Sequence, residues 1–228
     1  MIISLLIALA IGTGFTRHTS AFDKEIALWL KKATMECAML KDNPVDDQQI
    51  LKNISELESE FKVLSYKYID KPPAKYARDV NWKTYFLTLS ENMVVVEEQV
   101  EEKQFAEAAI YCANFSNTIG QMHKINGTTD LADLSFSWRM ELKNTSDMYN
   151  AGNTAGYEQN LPVVENIYKK LFSMKAKRKR NAVNKRYNPL QQTYADWLKA
   201  IQAGNTEAMN VAYQKFMDGF AKPYMASF

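Results

Sequence analysis

Two cysteines, one histidine and one basic run are the residues that offer chemistry. Cys37 follows Ile26, Leu30 and Ala33, with Leu40 after it, and Cys112 sits among Phe105, Ala108, Phe115, Ile119 and Met122. Both series step by three and four residues, which is one face of a helix. If these two helices pack antiparallel with residues 24 and 125 level, facing residues carry numbers that sum to 149, and 37 and 112 do. A bond between the two sulfurs would close a loop of about 75 residues, worth roughly 4 kcal/mol in the chain-entropy account. The same positions suit two small core residues that never meet. No Cys-x-x-Cys pair occurs, so redox catalysis is not expected.

His123 ends the second of these helices, where the helix dipole favours a protonated imidazole. The stretch Lys175 to Arg186 holds seven basic residues (Lys175, Lys177, Arg178, Lys179, Arg180, Lys185 and Arg186) and no acid. It reads as a solvated linker, or as a contact for an anionic membrane surface, a cell-wall polymer or an acidic partner. Glu97, Glu98, Glu101 and Glu102 form a helix face of opposite sign. No Glu-x-x-His pattern accompanies them, so a di-iron site is not expected. The eleven Met and four Trp fall mostly at core spacing, and packing accounts for them better than copper capture. Asn53, Asn114, Asn126 and Asn144 open formal glycosylation sequons, which matter only in a eukaryotic secretory route. There is no serine or cysteine nucleophile with a base, no phosphate loop and no zinc motif, so neither an enzyme nor a metal site is expected.

The elements that must position these residues are helices. Apolar series predict helices over 23–41, 46–69, 79–101, 103–125, 129–150, 154–176, 188–203 and 206–225. Asn43-Pro44, Lys71-Pro72-Pro73, Ala151-Gly152-Asn153 and Gly204-Asn205 punctuate them. Asp130 is a natural helix cap. The second four segments can be laid on the first: Trp138 on Trp29, Met148 on Met39, Asn160-Leu161 on Asn53-Ile54, and Tyr168 on Phe61. Leu171 then falls on Leu64, Ala208-Met209 on Glu107-Ala108, and Phe216 on Phe115. The expected fold is all-α: tandem up-and-down four-helix bundles over 22–127 and 128–228. A single fused eight-helix layer or a helical solenoid is the alternative.

Residues 1–21 read as an address. Ile2 to Ile11 is uncharged and apolar but for Ser4, too short for a membrane-spanning helix and suited to a secretory signal, with a cut expected after Ala21. No basic residue precedes the run, and an uncleaved amphipathic anchor is the other reading. A periplasmic or secreted protein is expected, with no transmembrane helix in its mature chain. The 228 residues are 46% hydrophobic and 24% charged, with a formal net charge of +2. That is a globular composition without the basic excess of a nucleic-acid binder.

The stretch Glu101-Glu-Lys-Gln-Phe-Ala-Glu-Ala-Ala-Ile-Tyr-Cys-Ala-Asn-Phe-Ser-Asn-Thr-Ile-Gly-Gln-Met-His123-Lys-Ile-Asn126 resembles the last helix of the periplasmic four-helix cytochromes, the soluble b-type cytochrome and cytochrome c-prime. Gly204-Asn205-Thr206-Glu207-Ala208 resembles the same hairpin entry in the second half. The resemblance implies an exported bundle with haem between its helices and electron transfer as its function. It makes His123 the candidate haem-binding residue, since it matches the family's His near the end of helix four. The family's Met near the start of helix one has no counterpart in Ile26-Ala27-Leu28-Trp29-Leu30, which His123 is expected to face. The Cys-x-x-Cys-His attachment is also absent, and Tyr224 takes the place of the His in the second half. The leading expectation is therefore a non-enzymatic binding module, without cofactor, for an unknown protein or envelope component. Its working surface is expected at the groove between the bundles or at the basic run.

Overall fold

The computed structural model describes residues 20–40, 47–177 and 181–228, and the expected signal segment up to Thr19 and residues Arg178, Lys179 and Arg180 lie outside them. Eight helices and no strand occur among the described residues: α1 (Ala21–Met39), α2 (Asp47–Tyr68), α3 (Trp82–Glu101), α4 (Phe105–Ile125), α5 (Leu131–Asn150), α6 (Thr154–Lys177), α7 (Asn181–Gln202) and α8 (Thr206–Met225). The fold is an all-α helical bundle. None of the described helices is long and apolar enough to cross a membrane.

The helices enclose two hydrophobic cores. The first runs from Phe22 to Met122, with α1 packed on α2 and α4, α2 on α3, and α3 on α4. The second runs from Leu131 to Tyr224, with α5 packed on α6 and α8, and α7 on α8. The backbones of α6 and α7 stand apart, and rings fill the gap: Tyr168 stacks on Tyr194 at 4.7 Å and Phe172 meets Tyr187 at 6.1 Å.

Residues that align between the halves make the same contacts. Trp29 lies 5.0 Å from Phe61 and 5.5 Å from Phe115. Their counterparts do likewise, with Trp138 5.6 Å from Tyr168 and 4.8 Å from Phe216. Asn53 on α2 donates to Glu36 on α1 at 2.6 Å, and Asn160 on α6 donates to Thr145 on α5 at 2.9 Å. The match is local: Trp29 donates its indole N–H to the Leu57 carbonyl, whereas the Trp138 N–H has no partner among the described residues.

Helix ends explain the turns. Lys103 and Gly204 take the left-handed conformation at equivalent places (φ 59° and 66°), closing α3 and α7 with matching backbone bonds from Gln104 to Gln99 and from Asn205 to Ala200. Two expectations need correction. The basic stretch is not a linker throughout, because α6 continues to Lys177 and α7 begins at Asn181 rather than near 188. Lys, Arg and Ala are strong helix formers, and their propensity outweighs Pro189, which lies inside α7. In addition, α3 starts at Trp82, and residues 74–80 form turns around a wholly buried Tyr76.

Cys37 and Cys112 are joined by a disulfide between α1 and α4, with Cα atoms 5.9 Å apart and a sequence separation of 75. It ties the first helix of the first group to its last. Replacing both cysteines by Ala should lower the unfolding free energy by roughly 4 kcal/mol, read as a drop in the urea midpoint at unchanged helix content. A loss under about 1 kcal/mol would show that the helix register holds without the bond.

Candidate functional site: a buried histidine–carboxylate cluster

The most concentrated buried titratable chemistry lies where α4 ends and α5 begins. Gly127, at φ 64°, closes α4: the Thr128 N–H bonds the His123 carbonyl at 2.8 Å, and the Gly127 N–H bonds that of Lys124 at 3.3 Å. A left-handed residue is required there, and only Gly takes it without a Cβ penalty. Asp130 then caps α5. Its Oδ1 accepts the N–H groups of Ala132 and Asp133 at 2.7 and 3.0 Å. Asp133 Oδ2 accepts the Asp130 N–H at 2.8 Å, which completes a reciprocal capping box.

His123 adds a third member. It is only 4% exposed, and its Nδ1 lies 2.8 Å from the same Asp133 Oδ2. The carboxylate therefore fixes Nδ1 as the ring's donor in the neutral form and offsets its charge in the protonated form. Next to this cluster, Thr128 Oγ1 lies 3.2 Å from the Tyr76 hydroxyl, which donates to Asp23 at 2.7 Å. Asp23 is also paired with Lys75 and belongs to the capping box of α1 with Ser20. One polar chain thus connects the start of α1, the 74–80 turns and the α4–α5 turn.

Burial acts against the charged imidazole. The Asp133 hydrogen bond, with the charges of Asp133, Asp130 and Asp23, outweighs it and holds the His123 pKa above its ordinary 6.5. Burial, then the neighbouring Asp133 charge, lifts the Asp130 carboxyl from 3.8 to about 6. Both groups hold protons that the unfolded chain would release.

The expected orientation of His123 is corrected by this geometry. The ring does not look across the first core at Ile26–Leu30; it bonds α5. The interior between α1 and α4 is filled by Phe22, Ile26, Trp29, Phe115, Ile119 and Met122. The one ligand atom in that set, the Met122 sulfur, stands beside His123 on α4 rather than on α1, and the His123 ring is held by Asp133, so these residues do not supply the facing Met–His pair that the resemblance implies. His123, Asp130 and Asp133 could each offer a ligand atom, all within 4.8 Å of one another. However, one oxygen of each carboxylate is already taken up by backbone N–H groups and, on Asp133, by the histidine. The chemistry these contacts support is structural proton binding.

Asp133 is the functional residue that sequence reasoning missed. The signal was present: Asp130 and Asp133 have capping-box spacing directly after Gly127. Of the basic residues, Lys185 and Arg186 are exposed, and Lys175 and Lys177 lie in the last turns of α6. Glu98, Glu101 and Glu102 are exposed at the end of α3. Among the sequon residues Asn144 is exposed, whereas Asn53, Asn114 and Asn126 are half-buried. No protein-family model, curated protein or solved structure matches the chain.

Two outcomes follow. Since folding raises both pKa values, the cluster's contribution to stability is full at low pH and is lost as pH rises through the folded-state values. The urea midpoint should fall as pH rises from about 4.5 through the range where Asp130 and then His123 titrate, and His123→Gln should flatten the upper part of that slope. Asp23 and Glu25, whose pKa values are lowered, act in the opposite sense only below their ordinary 3.8 and 4.5. A midpoint that climbs through the window would contradict the assignment. Protein produced with haem supplied should carry no Soret band that His123→Ala removes; a band lost in that variant would restore the haem reading.

Proposed function

We propose that this chain is exported and works without catalysis, as a helical binding module of the cell envelope or extracellular space. The observation that carries the reading is the Cys37–Cys112 bond joining α1 to α4 inside the first core. Bonds of this kind persist in oxidising compartments and are rare where thiols are kept reduced. The apolar run before Ser20 supports the same route.

Binding rather than catalysis is supported by how the buried titratable groups are used. His123, Asp130 and Asp133 are engaged in closing helix ends and joining α4 to α5. The Tyr76 hydroxyl is tied to Asp23 and Thr128. A catalytic acid or base needs a side chain facing substrate, whereas these face one another. Surface is plentiful by contrast: α1 leaves Leu28, Met35 and Met39 exposed, and α2 leaves Val63 and Tyr66.

Export has a structural consequence at the amino end. The expected cut after Ala21 falls in the first turn of α1 and would remove Ser20, whose hydroxyl accepts the Asp23 N–H at 3.2 Å. Phe22, buried against Tyr68, Tyr76, Trp82 and Phe86, would become the new terminus. Intact-mass analysis of the protein released by an exporting host tests the proposal. The expected result is a chain beginning at Phe22 and lacking two hydrogens relative to the dithiol form. Retention inside the cell with the leader attached and both thiols alkylatable would overturn it.

A further inference from the structure

The up-and-down course of the helices sorts charge to two ends of the molecule. The short α4–α5 turn brings the end of α4 level with the start of α5, so both helix groups contribute to the same end. Tyr76, in the 74–80 turns, bonds Asp23 of α1 and Thr128 of the α4–α5 turn. Tyr187 of α7 bonds Ser135 of α5 and meets Phe172 of α6, which sets the end of α6 and the start of α7 at that level too. From Asn166 to Ala195 the sequence carries nine basic residues and no acidic one. The acids beside the first two turns are engaged: Asp23 with Lys75, Glu25 with Lys67 at 2.7 Å, and Asp70 with Lys83 at 2.6 Å. Asp79 accepts from Asn81 and Asn126. Lys71, Arg78, Lys124, Lys170, Lys185 and Arg186 are exposed and form no ion pair among the described residues. The opposite end has the reverse sign, since residues 92–115, around the α3–α4 turn, hold five glutamates and one lysine.

Apolar side chains stand at the same end as the unpaired cations. Val80 in the turns is 94% exposed, Tyr66 in the last turn of α2 92%, and Ile125 at the end of α4 61%. A soluble polyanion would use the cations alone. A lipid interface uses both sets: anionic headgroups attract lysine and arginine, and the boundary beneath them accepts valine, isoleucine and the tyrosine ring. Each basic residue held near an anionic leaflet raises partitioning roughly fivefold. The acidic far end is repelled by such a surface, so the asymmetry also orients the molecule. The expected leader joins α1 at this same end.

We propose that the end formed by the 69–81 turns, the α4–α5 turn, the last turns of α6 and the start of α7 docks on an anionic phospholipid surface. This rests on the reading of the chain as an exported binding module and names that module's partner. The unpaired lysines and arginines contact headgroups, while Val80, Ile125 and Tyr66 enter the interface between them.

The test sediments the disulfide-bonded chain, as an exporting host yields it, with lipid vesicles. Mixed phosphatidylglycerol–phosphatidylcholine vesicles should bind it at least about tenfold better than pure phosphatidylcholine, and about 0.5 M salt should release most of it. Lys170→Gln, Lys185→Gln and Arg186→Gln combined should lower partitioning at least about tenfold, and Val80→Ser with Ile125→Ser severalfold. Glu101→Gln, Glu102→Gln and Glu107→Gln combined adds the same net charge at the far end and should change partitioning less than about twofold. Amide exchange on the vesicles should slow at 74–80 and 181–190 but not at 102–107, which reads the docked end without any variant. No binding, or equal binding to both vesicle types, overturns the proposal. So does a far-end variant that raises binding as much as the first variant lowers it, or protection confined to 102–107. Tighter binding to soluble polyglutamate than to vesicles would replace the lipid surface by an acidic polymer. Export and the disulfide are read separately by mass, so an exported, bonded chain that ignores vesicles loses this proposal and keeps the binding-module reading.

Discussion

Each half of the molecule is organised around enclosing one indole ring. Trp29 and Trp138 are almost wholly buried, and each is met by a ring from the next helix and a ring from the last helix of its group. An indole this size contributes a few kcal/mol when buried, and only if its neighbours close around it without voids. That demand fixes how far apart the helices stand and at what height they face one another. The disulfide between α1 and α4 then falls at a level the Trp29–Phe115 contact has already set. In the second group no covalent tie is present among the described residues, and additional rings do comparable work. Trp138 also meets Phe172 at 5.8 Å and Tyr194 at 5.4 Å.

Two cores with separate linings still have to hold one relative position, and polar contacts do this. His123 bonds Asp133 across the α4–α5 turn, and Ser116 bonds Tyr224 between α4 and α8. Phe228 packs against both cores. Buried hydrogen bonds are directional, and leaving one partner unmet costs more than the bond itself contributes. A joint made of such bonds therefore selects one orientation, where an apolar seam would tolerate sliding. The repeat does not extend to this joint. The α4–α5 turn occurs once, and only its capping pair Asp130–Asp133 has a counterpart, Ser20–Asp23 at the start of α1.

Much of the fold was legible because helical periodicity is a local signal. The 3-4 spacing located all eight helices, and it placed Cys37 and Cys112 at one level from antiparallel geometry alone. The alignment of the halves found Trp29 and Trp138 because the enclosing rings recur with them. The burial of His123 was not legible. It depends on α5 lying against the outer side of α4, and no pattern within 103–125 reports what packs outside the first ring of helices. The fully buried Tyr76 was missed for a related reason, since it sits in turns with no period to read. The helical course of 181–187 was missed because its polar residues carry no apolar stripe. Propensity decided there, where pattern was silent.

The distribution of charge makes the last point. The chain holds 28 basic and 26 acidic residues, so a scarcity of either sign cannot explain where they sit. At the α4–α5 turn two carboxylates crowd one imidazole, and the excess is absorbed by the N–H groups at the start of α5, where negative charge is favoured. At mid-α5 the Arg139 guanidinium lies half-buried against Phe220, with no carboxylate paired to it among the described residues. Arg139 is only half-buried and its nitrogens are not shut off from solvent, so the ring contact is made without the cost of a fully buried cation. The first arrangement is satisfied within the chain and belongs to its architecture. The second is met by the Phe220 ring on one face of the fork and by solvent on the rest.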